Sequence, residues 1–271
     1  MPLFEGLTIS KVMRMINQPT VTKLREMRLK VMADAFENQL SNKSYDHLSF
    51  EDRLGMLVDC EWSQRRSNKL QRLIQTANFR YPNACVEAIE YHPDRRLNKS
   101  QILSLATCSF VRDGHHVVLK GATGCGKSFL ACALGIAACR QFMRVKYIQL
   151  SELLDEVAIA KGEGTLEKFK KHYLKIDLLI IDEWLLLPLS VSQTILLFDV
   201  IETRTKRGAM IFCTQYDTVG WYQRLAKCDD SALTEAIIDR IQHNNHEIHI
   251  HGDISMRERH GLKSSLNSHK K

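Results

Sequence analysis

The sequence predicts an α/β fold in which a parallel sheet is flanked by helices, preceded by a small all-helical N-terminal domain. Three observations predict it. From His115 onward, strand-like apolar runs alternate with segments of helical period, the pattern of a parallel sheet covered on both faces. One of those strands, in 117–134 (VVLKGATGCGKSFLACAL), ends in a glycine loop that opens directly into a helix. Between about residues 20 and 100 the apolar spacing is helical.

In chain order, residues 1–20 show no clear period and read as a flexible arm, mobile or ordered by a partner. From Thr20, with Thr20 or Thr22 as cap, Leu24, Met27, Val31, Ala35 and Leu40 recur at helical spacing. Lys23, Arg25, Arg28 and Lys30 occupy the other faces and make this helix basic. A second helix starts at Ser49, which forms a capping-box-like pair with Asp52 and turns Leu54, Leu57, Val58 and Trp62 inward. Its continuation carries Arg65, Arg66, Lys69 and Arg72, of which Arg65, Lys69 and Arg72 share a face. These helices make a domain over 21–97. Asn98 with Gln101 starts another helix and opens a second domain, 98–260, followed by a basic tail, 261–271.

Within that second domain, the loop strand and its helix are followed by a strand over 145–150 and a helix capped at Ser151. A third strand ends in paired acids at 177–183, DLLIIDE. After Pro188 a helix over 190–206 stops at Gly208, and 209–214, AMIFCT, reads as a fourth strand. A helical stretch near 230–242 precedes a last strand over 246–250.

The glycine loop is a phosphate loop. Gly121, Gly124, Gly126, Lys127 and Ser128 fit the spacing G-x-x-x-x-G-K-[ST], with Ala122, Thr123 and Cys125 between them and Phe129 following. Glycines let the backbone curl with its N–H groups inward, so the loop and the helix N-terminus form a concave anion site. Lys127 would reach the β- and γ-phosphates of ATP, and Ser128 would offer its hydroxyl to Mg²⁺, which prefers oxygen ligands. A buried strand would deliver Asp182 and Glu183 to the same edge of the sheet. Asp182 then reads as a second metal-holding residue, and Glu183 as the carboxylate that orients or deprotonates an attacking water. The bland alternative is that the paired acids only cap the following segment.

The totals agree with one substantial core and a smaller second unit: 271 residues, 44% hydrophobic and 25% charged. Neither a membrane span nor a cleavable signal is visible, which leads to the expectation of a soluble, cytoplasmic protein. Of the eight cysteines none forms a C-x-x-C pair, and Cys125, Cys132 and Cys139 recur every seven residues as apolar core positions. His243, His246, His249 and His251 do not make a zinc set, since on a strand His246 faces away from His249 and His251. The net charge of +7 favours a polyanionic partner.

Five blocks in order, LREMRLKVMADAFE, GATGCGKSFLACALG, IIDEWLLLP, IETRTKRGAMIFCTQ and ALTEAIIDRIQHNNHEIHI, give a chain that resembles the IstB-type ATP-binding helper proteins of insertion sequences. These are relatives of the DnaC-like helicase loaders in the AAA+ class, and the resemblance covers about residues 24–259. It implies the additional-strand version of the phosphate-loop fold, and a function: an ATPase that oligomerises on duplex target DNA, remodels it and recruits or stimulates a transposase. It further implies that Arg240, in IIDRI, is an arginine finger reaching the ATP of a neighbouring copy, a contribution worth roughly 10³ to 10⁵ in rate where such fingers have been removed. Arg257, in SMR, matches the second sensor of the γ-phosphate. At the first sensor the family usually shows asparagine after serine or threonine; here Thr214 is followed by Gln215, and either could carry the role.

For DNA the resemblance implies a helical insertion between the second and third strands, at about 153–173, where Lys161, Lys168, Lys170 and Lys171 could hold phosphates without reading sequence. The stripe of Arg65, Lys69 and Arg72 ranks second. Two other readings remain open: a helicase loader acting on single-stranded DNA, and an ATP-holding switch with little turnover.

Overall fold

The computed structural model describes residues 9–205, 208–225, 231–252 and 254–261, and the chain divides into two compact units, Met1–Gln71 and Arg72–Lys271. The division falls inside one long helix, upstream of the expected boundary at 97/98. Residues 1–8 of the expected arm and 262–271 of the expected tail lie outside the described residues.

The first unit holds α1 (Ile9–Glu26), α2 (Lys30–Ser41) and most of α3 (Phe50–Ala77). Two expectations fail here. The stretch from 9 to 20 is helix, and the Thr22 hydroxyl, expected near a cap, donates to the Gln18 carbonyl at 3.0 Å as interior helix residues do. The single helix expected beyond Thr20 is broken at Arg28, whose φ is 61°. The break is stabilised from α3: Glu61, only 8% exposed, accepts the Met32 N–H at the start of α2 (3.0 Å), and Arg65 donates to the Arg28 carbonyl (2.9 Å) while pairing with Glu61 (2.7 Å). Because Glu61 must face α2, the inward face of α3 is set by Leu57 and Glu61. Leu54, Val58 and Trp62, expected to point inward, are exposed. The Ser49 cap is present, its hydroxyl accepting the Asp52 N–H at 3.1 Å.

The second unit begins with the end of α3 and two short 3-10 turns, Val86–Ala88 and Pro93–Arg95, then α4 (Lys99–Ala106) and α5 (Ser109–Arg112). Asn98 caps α4 as expected, accepting the Gln101 N–H at 3.2 Å. There follow β1 (His116–Gly121), α6 (Lys127–Arg140), β2 (Val145–Gln149), α7 (Leu150–Gly162), α8 (Leu166–Tyr173) and β3 (Leu178–Asp182). The chain continues through α9 (Val191–Thr205), β4 (Ala209–Thr214), α10 (Thr218–Leu225), α11 (Ser231–Gln242), β5 (Asn245–Ile250) and α12 (Met256–Arg259). The five strands are parallel in the order β2-β3-β4-β1-β5. This order sets the ends of β1 and β3 on either side of β4, a crevice where such sheets bind ligands.

Gln149, not Ser151, caps α7, through a capping box with Glu152. α10 has no counterpart among the expected elements; Asp217 caps it by accepting the Gly220 N–H at 2.8 Å. All eleven residues of β3 and β4 are buried, as the central strands of a covered sheet must be. Cys132 and Cys139 are buried in α6 and Cys125 in the loop before it. Burial pushes the Cys132 thiol up to about 11 and that of Cys139 to about 12, so both behave as small apolar groups.

Two buried polar side chains brace the sheet. Arg204 on α9 donates to the carbonyls of Tyr173 (2.8 Å), Ile176 (2.6 Å) and Ala209 (3.1 Å), tying the end of α8 to β4. His116 accepts the Met210 N–H at Nδ1 (3.3 Å), and burial first, then Arg204 and His115, lowers its pKa to about 4, which keeps it neutral.

Candidate nucleotide-binding site

The loop after β1 curls because three of its glycines adopt backbone angles that side chains resist: Gly121, Gly124 and Gly126 have φ of 159°, 81° and 97°. Their environment is also closed to a Cβ. One on Gly124 would meet Ser255 Cβ at 2.8 Å, and one on Gly126 would meet Arg95 Nη2 at 2.8 Å. Ser255 belongs to the turn that caps α12, and the Met256 N–H donates to the Gly124 carbonyl at 2.8 Å, so the C-terminal helix closes over the loop. Arg95, 4% exposed, donates to the Cys125 carbonyl at 2.9 Å and to the Glu90 carbonyl, holding the loop from the other side. Lys127 is buried and donates to the Gly121 and Ala122 carbonyls, each at 2.8 Å.

At the end of β3 the acidic turn is fixed by its surroundings. Glu183 and Leu185 take left-handed φ of 55° and 51°, a strain of about 1–3 kcal/mol each that persists only where packing over-determines it. Trp184 between them is buried against Phe212 (4.7 Å) and Trp221 (5.8 Å), and its backbone N–H donates to the Cys213 carbonyl at 2.8 Å. The Asp182 carboxylate accepts the Glu183 N–H (2.8 Å) and the Tyr147 hydroxyl from β2 (2.5 Å). Burial, then the Asp182 charge, pushes the Tyr147 phenol far above its usual range, so it remains a donor.

Two cavities meet at the loop. The larger, about 470 Å³, is lined by Gly124, Gly126, Lys127, Ser128 and Phe129 together with Tyr81, Glu90, Arg95, Arg257 and His260, among others. The smaller, about 80 Å³, joins Thr123, Lys127 and Ser128 to Asp182, Glu183, Gln215, Arg257 and Arg80. Most of the expected site residues therefore converge. Gly121, Ala122 and Cys125 form the loop's walls, their carbonyls holding Lys127 or Arg95. Of the two first-sensor candidates, Thr214 has its hydroxyl accepting Trp221 Nε1–H (3.1 Å) and the Tyr216 N–H (3.1 Å), whereas Gln215 lines the cavity.

Other expected residues lie elsewhere. Arg240, on α11, lines neither cavity; it stands over the Phe198 ring at 5.0 Å and donates to the Ala236 carbonyl at 2.9 Å. Lys161 lies in the last turn of α7, and Lys168, Lys170 and Lys171 lie on α8, the two helices inserted between β2 and β3. Lys161, Lys168 and Lys171 are exposed, and Lys170 is partly covered. On α3, Lys69 and Arg72 are exposed while Arg65 is committed to Glu61 and Arg28. Arg80, Arg95 and Tyr147 were not foreseen, because no spacing links them to the loop. The donors Ser128 and Asp182 are oxygens facing one small cavity, a set that fits Mg²⁺. Among the described residues no group of His, Cys, Asp and Glu forms another metal cluster, and no helix is long and apolar enough to cross a membrane.

The parallel sheet, the loop and the strand-end acids define a phosphate-loop fold of the AAA+ kind. The fold is similar to that of AMPPCP-bound DnaA from Aquifex aeolicus (TM-score 0.53, 19% identity, covering 69% of this chain and 55% of that one). It is also similar to the DnaC helicase loader (TM-score 0.50, 23% identity, 63% of this chain and 98% of that one). Residues 22–264 match the family model described as IstB-like ATP binding protein, and the chain belongs to that family. A protein of Pseudomonas fluorescens named for ATP binding in insertion sequence IS1162 is 36% identical over 201 residues, 74% of this chain and 87% of its own. An insertion-sequence ATP-binding protein of Sinorhizobium fredii, y4pL, is 32% identical over 250 residues, 92% of this chain and all of its own.

Proposed function

We propose that the protein is a cytoplasmic ATPase that assembles on duplex target DNA, remodels it and delivers it to the transposase of its insertion sequence. The observation that carries this reading is the convergence of Lys127, Ser128, Asp182, Glu183, Gln215 and Arg257 on one cavity, with Arg240 outside it. In the bound complex Lys127 exchanges the loop carbonyls for phosphate oxygens, and the inward N–H groups of the loop take the rest of the negative charge. Ser128 and Asp182 would hold Mg²⁺, which supplies charge neutralisation on the phosphates. Glu183, at the strained turn, orients and deprotonates the attacking water, and Gln215 fixes that water's second side. Arg257 meets the terminal phosphate from α12. Arg240 completes the site of a neighbouring copy, which makes turnover depend on assembly.

The exposed lysines of α7 and α8 contact DNA phosphates, and a sequence-blind contact suits a protein that accepts many target sites. Arg65 takes little part because Glu61 and the Arg28 carbonyl hold it. The test is energy transfer between the ends of a labelled duplex, with a non-hydrolysable ATP analogue and without. Nucleotide-dependent shortening with retained duplex preference supports the reading. An unchanged duplex shape, or preference for single strands as in a helicase loader, refutes it.

A further inference from the structure

Arg80 lies three residues past the end of α3 and outside both the phosphate loop and the strand-end acids, yet it reaches the acidic edge of the smaller cavity. Its Nη1 is 3.5 Å from Glu183 Oε1 and 3.8 Å from Asp182 Oδ2. The backbone on either side is anchored. Phe79 is buried against α6, where a Cβ on Gly135 would meet its ring at 2.6 Å, and the Tyr81 ring stands 5.9 Å from Phe129. The guanidinium is therefore delivered to the carboxylates by a fixed stretch of chain, while its own side chain remains 37% exposed and able to swing.

Beside the Glu183 N–H, the Asp182 carboxylate meets the side chains of Tyr147 and Arg80, which differ in kind. The Tyr147 hydroxyl donates at 2.5 Å from inside the sheet, a permanent partner. Arg80 stands at 3.5–3.8 Å, beyond the roughly 2.7–2.9 Å of a tight charge-assisted bond, and supplies charge more than a fixed bond. A divalent cation bound between Ser128 and Asp182 would present its charge to the same carboxylates that Arg80 now neutralises. Like charges in one small cavity oppose each other, so the guanidinium and the metal compete.

We propose that Arg80 is a positioning residue of this centre: it serves as the internal counter-ion of the Asp182–Glu183 pair and must leave that pair before a divalent cation can bind. This inference rests on the reading of the cavity as a metal-dependent triphosphate site.

The experiment is a Mg²⁺ titration of fluorescent ATP-analogue binding to the full chain, as wild type, Arg80→Ala, Arg80→Lys and Lys127→Ala. A half-exposed ion pair corresponds to roughly a three- to fivefold change, so the Mg²⁺ midpoint falls by about that factor in Arg80→Ala. Arg80→Lys keeps the charge and stays near wild type. If Arg80→Ala does not fold, Arg80→Gln, which keeps reach and loses charge, takes its place. A wild-type midpoint in the charge-free variant overturns the inference, as does an equal shift in Arg80→Lys. A wild type that binds no analogue, or a Lys127→Ala variant that binds it equally well, removes the nucleotide-site reading itself and is distinguishable from those outcomes.

Discussion

Replacing Gly126 by alanine tests whether Arg95 is the wall of the phosphate loop. Two costs are separable in the structure. The φ of 97° strains any L-residue, at about 1–2 kcal/mol for a left-handed conformation. The added Cβ would also sit 2.8 Å from Arg95 Nη2, displacing the guanidinium from the Cys125 carbonyl it holds at 2.9 Å. Losing a buried bond from a charged donor adds about 1.5–3 kcal/mol, for a total of about 2.5–5 kcal/mol. In an Arg95→Ala background the obstacle is gone, and only the backbone part, about 1–2 kcal/mol, should remain. The assay is a double-mutant cycle on denaturant unfolding. It is followed by tryptophan fluorescence in a Trp62→Phe background, so that the signal comes from Trp184 and Trp221 of the second unit. A Gly126→Ala cost that is the same in both backgrounds would refute the reasoning.

Two further outcomes concern the sheet. Because burial lowers His116 from 6.5 to about 4, the unfolded chain binds a proton in that window and the folded one does not. Stability therefore falls by up to about 3 kcal/mol as pH drops from 6.5 to 4. His116→Asn, which keeps an acceptor for the Met210 N–H, should flatten that part of the pH–stability curve, and an unchanged slope would contradict the assignment. Arg204→Met leaves the Tyr173, Ile176 and Ala209 carbonyls without their donor and should cost about 3 kcal/mol or more in unfolding free energy. Arg204→Lys, with a single point donor, should recover only part of that loss.

What the sequence disclosed and what it withheld divide along a physical line. The phosphate loop and the Asp182–Glu183 pair were legible because each is a local pattern: glycine spacing dictates the curl, and a buried strand dictates where its last residues emerge. Asn98 and Ser49 were legible as caps for the same reason. The inward face of α3 was not, because Leu54, Val58 and Trp62 have the apolar character of core residues while a carboxylate, Glu61, takes the buried place to cap another helix. α1 reached back past its expected caps and α10 went unseen, since a short TVGWYQRL segment with a glycine and valine has little helical signal of its own. Nothing in the sequence shows that Trp221, seven residues on, donates its indole N–H to the Thr214 hydroxyl, whereas the neighbouring Gln215 lines the cavity. Arg80, Arg95 and Tyr147 join the site only through tertiary packing.

A shared active centre, one copy's phosphate loop completed by the next copy's Arg240, is the claim on which the proposed ATPase turns. Mixing Lys127→Ala chains, which cannot hold nucleotide but carry Arg240, with Arg240→Ala chains, which hold nucleotide but lack the finger, tests it most directly. On duplex DNA the mixture should hydrolyse ATP although neither variant does so alone. If the mixture is as inactive as its parts while each variant still folds and assembles, or if Arg240→Ala alone turns over at the wild-type rate, the centre is not shared.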